Sequence, residues 1–148
     1  MFRPSTGLDT AVAIRRSALD LLARREHSYA EMLRKLRQRG APVSLTEIEL
    51  DRLQEEGLLS DERFCEAYVH ARSQRGYGPV RLREELRQRG VAETLIDQQL
   101  SSAERDWAAL GRSAFAKRFP EGPAEDMKER ARQQRFMQYR GFGGYLSD

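Results

Sequence analysis

The pentapeptide Leu36-Arg37-Gln38-Arg39-Gly40 returns unchanged fifty residues later as Leu86-Arg87-Gln88-Arg89-Gly90, and a weaker copy follows as Met137-Gln138-Tyr139-Arg140-Gly141. Recurrence on this scale marks tandem supersecondary units that cannot bury a core alone and pack end to end. The punctuation around each copy agrees. In the first unit, Ala11 to Arg25 has helical spacing, with Val12, Ile14, Ala18, Leu19, Leu22 and Ala23 as its apolar stripe. Ser28-Tyr29-Ala30-Glu31 has the form of a capping box: the Ser side chain accepts from the Glu31 N–H, and the Glu reaches back. The helix it opens carries Met32, Leu33 and Leu36 and stops at Gly40, where a left-handed residue suits the chain. Ser44-Leu45-Thr46-Glu47 is a second capping-box sequence, ahead of Ile48, Leu50 and Leu53, and Gly57 closes that helix.

In the second unit Ser60 is the expected N-cap, with Asp61 and Glu62 in the positive first turn, and the helix carries Phe64, Cys65, Tyr68 and Val69. Gly78-Pro79 puts proline at the first helical position, with Val80, Leu82 and Leu86 expected to face the core. Ala92 to Ala103 is the expected third helix, built on Leu95, Ile96 and Leu100. In the third unit, Glu104 to Phe119 is helical, and Gly122-Pro123 again starts a helix that reaches Phe136, Met137 and Tyr139. The segment after Gly141 is so short that a ninth helix would be about one turn long and marginal. No stretch alternates with the period of a strand. The expected fold is all-α: three tandem three-helix, helix-turn-helix-like repeats in an elongated, curved molecule. Residues 1–10 form a tail, and the repeats occupy 11–59, 60–103 and 104–148.

The 26 Lys+Arg and 23 Asp+Glu nearly cancel, yet they alternate in blocks: net +5 over residues 1–40, −6 over 41–70, +4 over 71–90, −3 over 91–110 and +3 over 111–148. Only Lys35, Lys117 and Lys128 are lysines. The planar guanidinium fork suits carboxylates and phosphates, although a general coding preference for arginine would leave the same bias. No apolar run is long enough to cross a bilayer, and no charged-then-apolar leader opens the chain, so a soluble cytoplasmic protein is expected. Cys65 cannot make an internal disulfide. With His27 and His70 far away in sequence it suggests no metal site, and it is expected to be a small buried hydrophobe. Neither histidine has a Cys, Ser or Asp partner at catalytic spacing, and no carboxylate pair stands out, so neither enzymatic chemistry nor a cofactor is expected.

Several segments taken together resemble the RecX family over about residues 11–142. They are Leu22-Ala23-Arg24-Arg25-Glu26-His27-Ser28, the Leu33-x-x-Leu36-x-x-x-Gly40 spacing, Gly57-Leu58-Leu59-Ser60-Asp61-Glu62-Arg63-Phe64, Arg72-x-x-Arg75-Gly76-x-Gly78 and Arg135-Phe136-x-x-x-Arg140-Gly141-Phe142. The resemblance implies three tandem three-helix repeats and binding to RecA, or to RecA on single-stranded DNA, within the deep groove of the filament. It also implies suppression of ATP hydrolysis, strand exchange and LexA co-cleavage, and so modulation of recombination and the SOS response. Family members usually complete a ninth helix; the short segment from Gly143 to Asp148 departs from that pattern.

The candidate contacts are basic. Arg34, Lys35 and Arg37 in the first unit, and Arg81, Arg83 and Arg87 in the second, share helices with the core residues Leu36 and Leu86. Arg34, Arg37, Arg83 and Arg87 lie away from those apolar faces. Stacked repeats would join them into a ridge facing DNA phosphates or an acidic protein surface. For any single cation the competing interpretation is a solvated face with intrahelical pairs, Glu31 with Lys35 or Glu85 with Arg89. The loop bearing Arg72, Arg75 and Tyr77 is either a phosphate grip or a rigid turn with Arg72 paired to an acidic neighbour. Trp107, Phe115, Phe119 and Phe136 are expected in the core, while Tyr139, Phe142 and Tyr145 are candidates for partner contact. The expected partners are the RecA filament and the single-stranded DNA within it, bound by a monomer with at most weak affinity for free DNA. The alternative is an independent helix-turn-helix-like DNA-binding protein, against which Arg37 and Arg87 sit late on their helices.

Overall fold

The computed structural model describes residues 7–143. Among them are eight helices and no strand: α1 (Ala11–Arg24), α2 (Tyr29–Gln38), α3 (Val43–Glu55), α4 (Asp61–Gln74), α5 (Pro79–Gln88), α6 (Glu93–Leu100), α7 (Trp107–Arg118) and α8 (Met127–Arg140). Most of the expected tail, Tyr145 and the place of a ninth helix lie outside the described residues.

The repeated glycine has one local job. Gly40 and Gly141 take φ of 96° and 94°, in the left-handed region that side chains with a Cβ disfavour. Gly40 N–H reaches the Arg37 carbonyl at 2.9 Å, and Ala41 N–H reaches Leu36 at 3.0 Å. At the end of α8 the same pair recurs, Gly141 to Gln138 at 3.0 Å and Phe142 to Met137 at 2.9 Å. Carbonyls that the helix leaves without a partner are thereby satisfied as the chain turns.

By packing, the chain divides into two compact units. One runs to Cys65 and includes Arg89–Val91; the other comprises Glu66–Gln88 and the residues from Ala92 onward. In the first, α1 and α2 pack on α3 around Ile14, Ala18, Leu21, Met32, Leu36, Leu50, Leu53 and Leu59. The face of α1 differs from the expected stripe. Leu21 is buried and Leu22 packs partly buried against the same cluster with Ile14 and Ala18, whereas Val12 is 67% and Leu19 36% exposed, because the apolar arc of α1 is wider than the face its neighbours cover. Ile48 of α3 is likewise half exposed, and Thr46 and Glu49 are buried instead. The capping box expected at Ser44 does not form. Helix α3 starts directly after Pro42 with no side-chain cap, and the Thr46 hydroxyl donates back to the Pro42 carbonyl at 2.7 Å. The box at Ser28 forms in half: Ser28 Oγ accepts from Glu31 N–H at 3.1 Å, but the Glu31 carboxylate is taken by both terminal nitrogens of Arg25, at 3.0 and 2.8 Å.

In the second unit α5 packs on α6 and α7 on α8, and Leu82, Leu86, Ile96, Leu100, Trp107, Ala114, Met137 and Phe142 are buried. Trp107 donates its indole N–H to the Leu100 carbonyl at 2.8 Å and lies 6.5 Å from the Phe142 ring. Phe142, expected as a partner contact, is therefore core at 0% exposure. Pro79 does open α5, but Val80 beside it is 67% exposed rather than core. Pro123 does not open a helix. The buried Gln133 side chain accepts from Ala124 N–H at 3.0 Å and donates to the Gly122 carbonyl at 3.2 Å, holding that segment as a loop. Helix α8 begins at Met127, where Asp126 caps Glu129 N–H at 3.1 Å.

Candidate functional site

The cations expected to form a ridge separate into free and compensated groups. On α2, Arg34 and Arg37 are exposed, and no ion pair holds either among the described residues. Lys35 is half-buried and does not pair with Glu31; its Nζ sits 3.0 Å from His27 Nε2. The ammonium has only protons to give, so Nε2 accepts and Nδ1–H donates to the Arg25 carbonyl at 3.0 Å. Burial, with the positive charges of Arg25 and Lys35, lowers the His27 pKa below 6.5 and keeps the ring neutral.

On α5 the picture reverses. Arg83 binds Glu93 at 2.9 Å and Asp97 at 2.6 Å, and Arg87 pairs with Glu93 and with Glu84, so carboxylates already cover this pair. Arg81 and Arg72 meet at Glu85. The Glu85 carboxylate accepts from Tyr68 Oη at 2.7 Å, from Arg72 Nε and Nη2 at 3.2 and 3.0 Å, and from Arg81 Nε at 3.0 Å. Burial alone would raise the Glu85 pKa; these hydrogen bonds outweigh it and hold the group below its ordinary value. Arg72 thus makes the acidic pair that the rigid-turn interpretation of its loop requires.

The loop after α4 is clamped to the end of α8. Gly78 N–H donates to the Arg140 carbonyl at 2.6 Å and Val80 N–H to Gly141 at 3.2 Å, while Arg140 Nη1 donates to the Arg75 carbonyl at 3.1 Å. Gly78 is required here: a Cβ would lie 2.5 Å from the Gly141 oxygen and 2.7 Å from the Phe142 ring.

These contacts assemble a feature that the linear sequence did not reveal, an alternating ladder of rings and guanidinium groups. Arg81 lies 4.7 Å from the Tyr139 ring centre and 4.5 Å from Tyr77. Arg140 lies 4.7 Å from Tyr77 and 4.9 Å from Phe136, and Arg118 continues to Phe136 at 5.9 Å and Phe119 at 4.9 Å. Arg72 covers Tyr77 at 3.9 Å. Each such contact is attractive through the ring quadrupole. The Arg72–Arg81 end is anchored by Glu85. At the other end Ser73–Gly76, α7 and α8 line a cleft of about 340 Å³ that includes Arg75, Lys117, Arg118 and Arg140 and no carboxylate. Of the sequence candidates, the second unit brings together Arg72, Arg75, Tyr77 and Arg81. Lys117, Arg118 and Arg140 join the ladder or its cleft without having been singled out; the only signal was the cationic residues spaced along the last two helices.

No group of His, Cys, Asp and Glu suited to a metal is present among the described residues, and no helix among them is long and apolar enough to cross a membrane. Family models for the first, second and third three-helix domains of RecX match residues 15–53, 60–100 and 105–146. The regulatory protein RecX of Pseudomonas entomophila is 54% identical over 138 residues, covering 93% of this chain and 89% of that one. A crystal structure of regulatory protein RecX superposes with a TM-score of 0.72 at 22% identity, over 90% of this chain and 69% of that one. RecX from Lactobacillus salivarius superposes with a TM-score of 0.68 at 16% identity, over 89% and 88%. The structural likenesses establish the fold, and the three consecutive domain matches with the identity over nearly the whole chain establish the kinship: this chain belongs to the RecX family.

Proposed function

We propose that this chain regulates RecA by binding it, and the filament it forms on single-stranded DNA, and that it thereby suppresses ATP hydrolysis, strand exchange and co-protease activity. It acts by occupancy rather than by chemistry, as a cytoplasmic monomer without a cofactor. The observation that carries this is the unbroken run of three RecX domains over residues 15–146, together with relatives whose name is regulatory protein RecX.

The basic candidates divide the work. Arg34 and Arg37 are exposed and ready for phosphates or acidic side chains. Arg83 and Arg87 engage by exchanging Glu93 and Asp97 for groups on the partner, a cheap exchange because exposed pairs are worth about 0–1 kcal/mol. Against an independent helix-turn-helix-like DNA-binder stands the position of Arg37 and Arg87 at the C-terminal ends of α2 and α5, since such a helix reads base edges with its N-terminal residues.

A mobility-shift experiment with random duplex, bare single strand and RecA-coated single strand separates these behaviours. Binding is expected to be tightest to the coated strand and weakened by the double charge reversal Arg34→Glu/Arg37→Glu. Duplex bound as tightly as the coated strand would remove the RecA assignment.

A further inference from the structure

We infer that Lys35 is an acylation site activated by the fold of the first unit, with His27 as the proton acceptor and a small acyl phosphate as the donor. The two side chains are held as a dyad. Lys35 Nζ lies 3.0 Å from His27 Nε2, and the other ring nitrogen donates to the Arg25 carbonyl at 3.0 Å. That second bond fixes the tautomer and leaves the Nε2 lone pair turned to the amine. His27 is 1% exposed, so its ring is clamped, whereas Lys35 is half-buried and open to a small reagent.

Lys35 also lacks the carboxylate that ordinarily quiets a lysine. Glu31, one turn earlier on α2, is taken by both terminal nitrogens of Arg25, at 3.0 and 2.8 Å. Partial burial, with the positive charges of Arg25, Arg39 and Arg34, outweighs the attraction of Glu31 and lowers the Lys35 pKa. A lysine short of water and beside other cations gives up its proton more readily, and only the free amine is a nucleophile. The neutral His27 ring then holds one N–H of that amine, and the nitrogen lone pair is left for a carbonyl carbon.

The step balances without a cofactor. Nζ attacks the acyl carbon and the N–C bond forms. His27 Nε2 takes the proton that the nitrogen must lose, the C–O bond to phosphate breaks, and inorganic phosphate leaves with the electron pair. The imidazolium returns its proton to water. The product is an amide whose remaining N–H still serves Nε2, and α2 has lost one positive charge. Arg34 and Arg39 are exposed on either side of Lys35 in the sequence of α2 and its cap, which favours an acyl phosphate over an acyl thioester. The guanidinium fork matches phosphate oxygens and stabilises charge building on the leaving group; a thioester leaves through a single sulfur that the fork does not match.

The test treats the folded full chain with acetyl phosphate at mildly alkaline pH and follows each lysine by peptide mass spectrometry. Lys117 and Lys128, both exposed, are the comparison within the same molecule, and Lys117 shares a cleft with Arg75, Arg118 and Arg140 but with no histidine. Lys35 is expected to react about tenfold faster than either, and His27→Gln, which keeps an acceptor but cannot take a proton, to erase that lead. A thermal melt shows whether His27→Gln folds. Independently of that variant, the three lysines of the wild type should react alike in urea, where the dyad is dismantled. Arg34→Gln/Arg39→Gln should lower the rate at Lys35 with acetyl phosphate by about threefold relative to the rate with the neutral acetyl ester of N-hydroxysuccinimide. Lys35 reacting no faster than Lys117, a lead that persists in folded His27→Gln or in urea, or a phosphate-to-ester ratio unchanged by the arginine variant would each overturn the assignment.

Discussion

Glu85 is where a single atom change should be felt most in the second unit. Its carboxylate joins Tyr68 on α4, Arg72 on α4 and Arg81 on α5, and through the two arginines it holds the Tyr77 end of the ladder. The side chains of Glu85, Arg72 and Arg81 are 16%, 22% and 26% exposed, so water screens these contacts only partly. A hydrogen bond to a charged group is worth about 1.5–3 kcal/mol, and Glu85→Gln keeps the shape and one acceptor while losing the charge; the expected cost is about 2 kcal/mol. Glu85→Ala, which abandons both arginines, should cost about 3 kcal/mol. The assay is urea unfolding followed by the fluorescence of Trp107, the chain's single tryptophan, which is buried in the same unit. At a slope of roughly 2 kcal/mol per molar urea, Glu85→Gln should lower the midpoint by about 1 M. The pH dependence fixes the mechanism. A carboxyl whose folded pKa is depressed contributes stability that is present above its ordinary value of 4.5 and is lost as pH falls through the folded value. Glutamine does not titrate, so the gap between wild type and Glu85→Gln should narrow on acidification. A midpoint unchanged at pH 7, or a gap equally wide at both pH values, would show that the carboxylate does not anchor the ladder.

Ser28 serves two masters, capping Glu31 N–H and donating to the Arg89 carbonyl at 2.7 Å, so Ser28→Ala should cost about 2 kcal/mol in chemical denaturation; a loss below about 0.5 kcal/mol would discount the second bond. His27 should titrate below 6.5 by NMR with the Nδ1–H tautomer, and because its folded pKa is lowered, the stability it supports is present above pH 6.5 and lost as pH falls from there toward the folded value; a midpoint above 6.5 would contradict the Lys35 contact. Gly78→Ala should destabilise by about 1–3 kcal/mol through its clash with Gly141. Gly57→Ala, with φ of 75° but nothing within 4 Å, should cost only about 1 kcal/mol of backbone strain, and equal losses at the two glycines would deny the loop clamp.

Local chemistry was the legible part of this chain. Gly40 and Gly141 announced helix ends because few other residues adopt their φ, and Ser28 and Pro79 announced helix starts because each suits that position by itself. Cys65 was legible as a buried thiol from its apolar neighbours. What depends on the rest of the fold was not legible. Periodicity could not choose between Leu19 and Leu21 on a helix whose apolar arc is wider than its buried face, and nothing local said that Gln133 would hold residues 122–124 out of α8. The basic residues of α5 were visible as cations but not as partners of Glu93 and Asp97, which lie on another helix. The ladder was hidden for the same reason: Tyr77 meets Arg140 only because the loop before α5 docks on the end of α8, and Arg118 meets Phe136 only because α7 packs on α8, whereas Arg140 over Phe136 is an i,i+4 pair within α8.

The direct measurement of the regulatory proposal is a titration of RecA's single-strand-dependent ATP hydrolysis with this chain. A rate that falls progressively, and falls less with Arg34→Glu/Arg37→Glu, is the predicted result. Hydrolysis that stays constant at a stoichiometric excess of folded wild-type protein would contradict it.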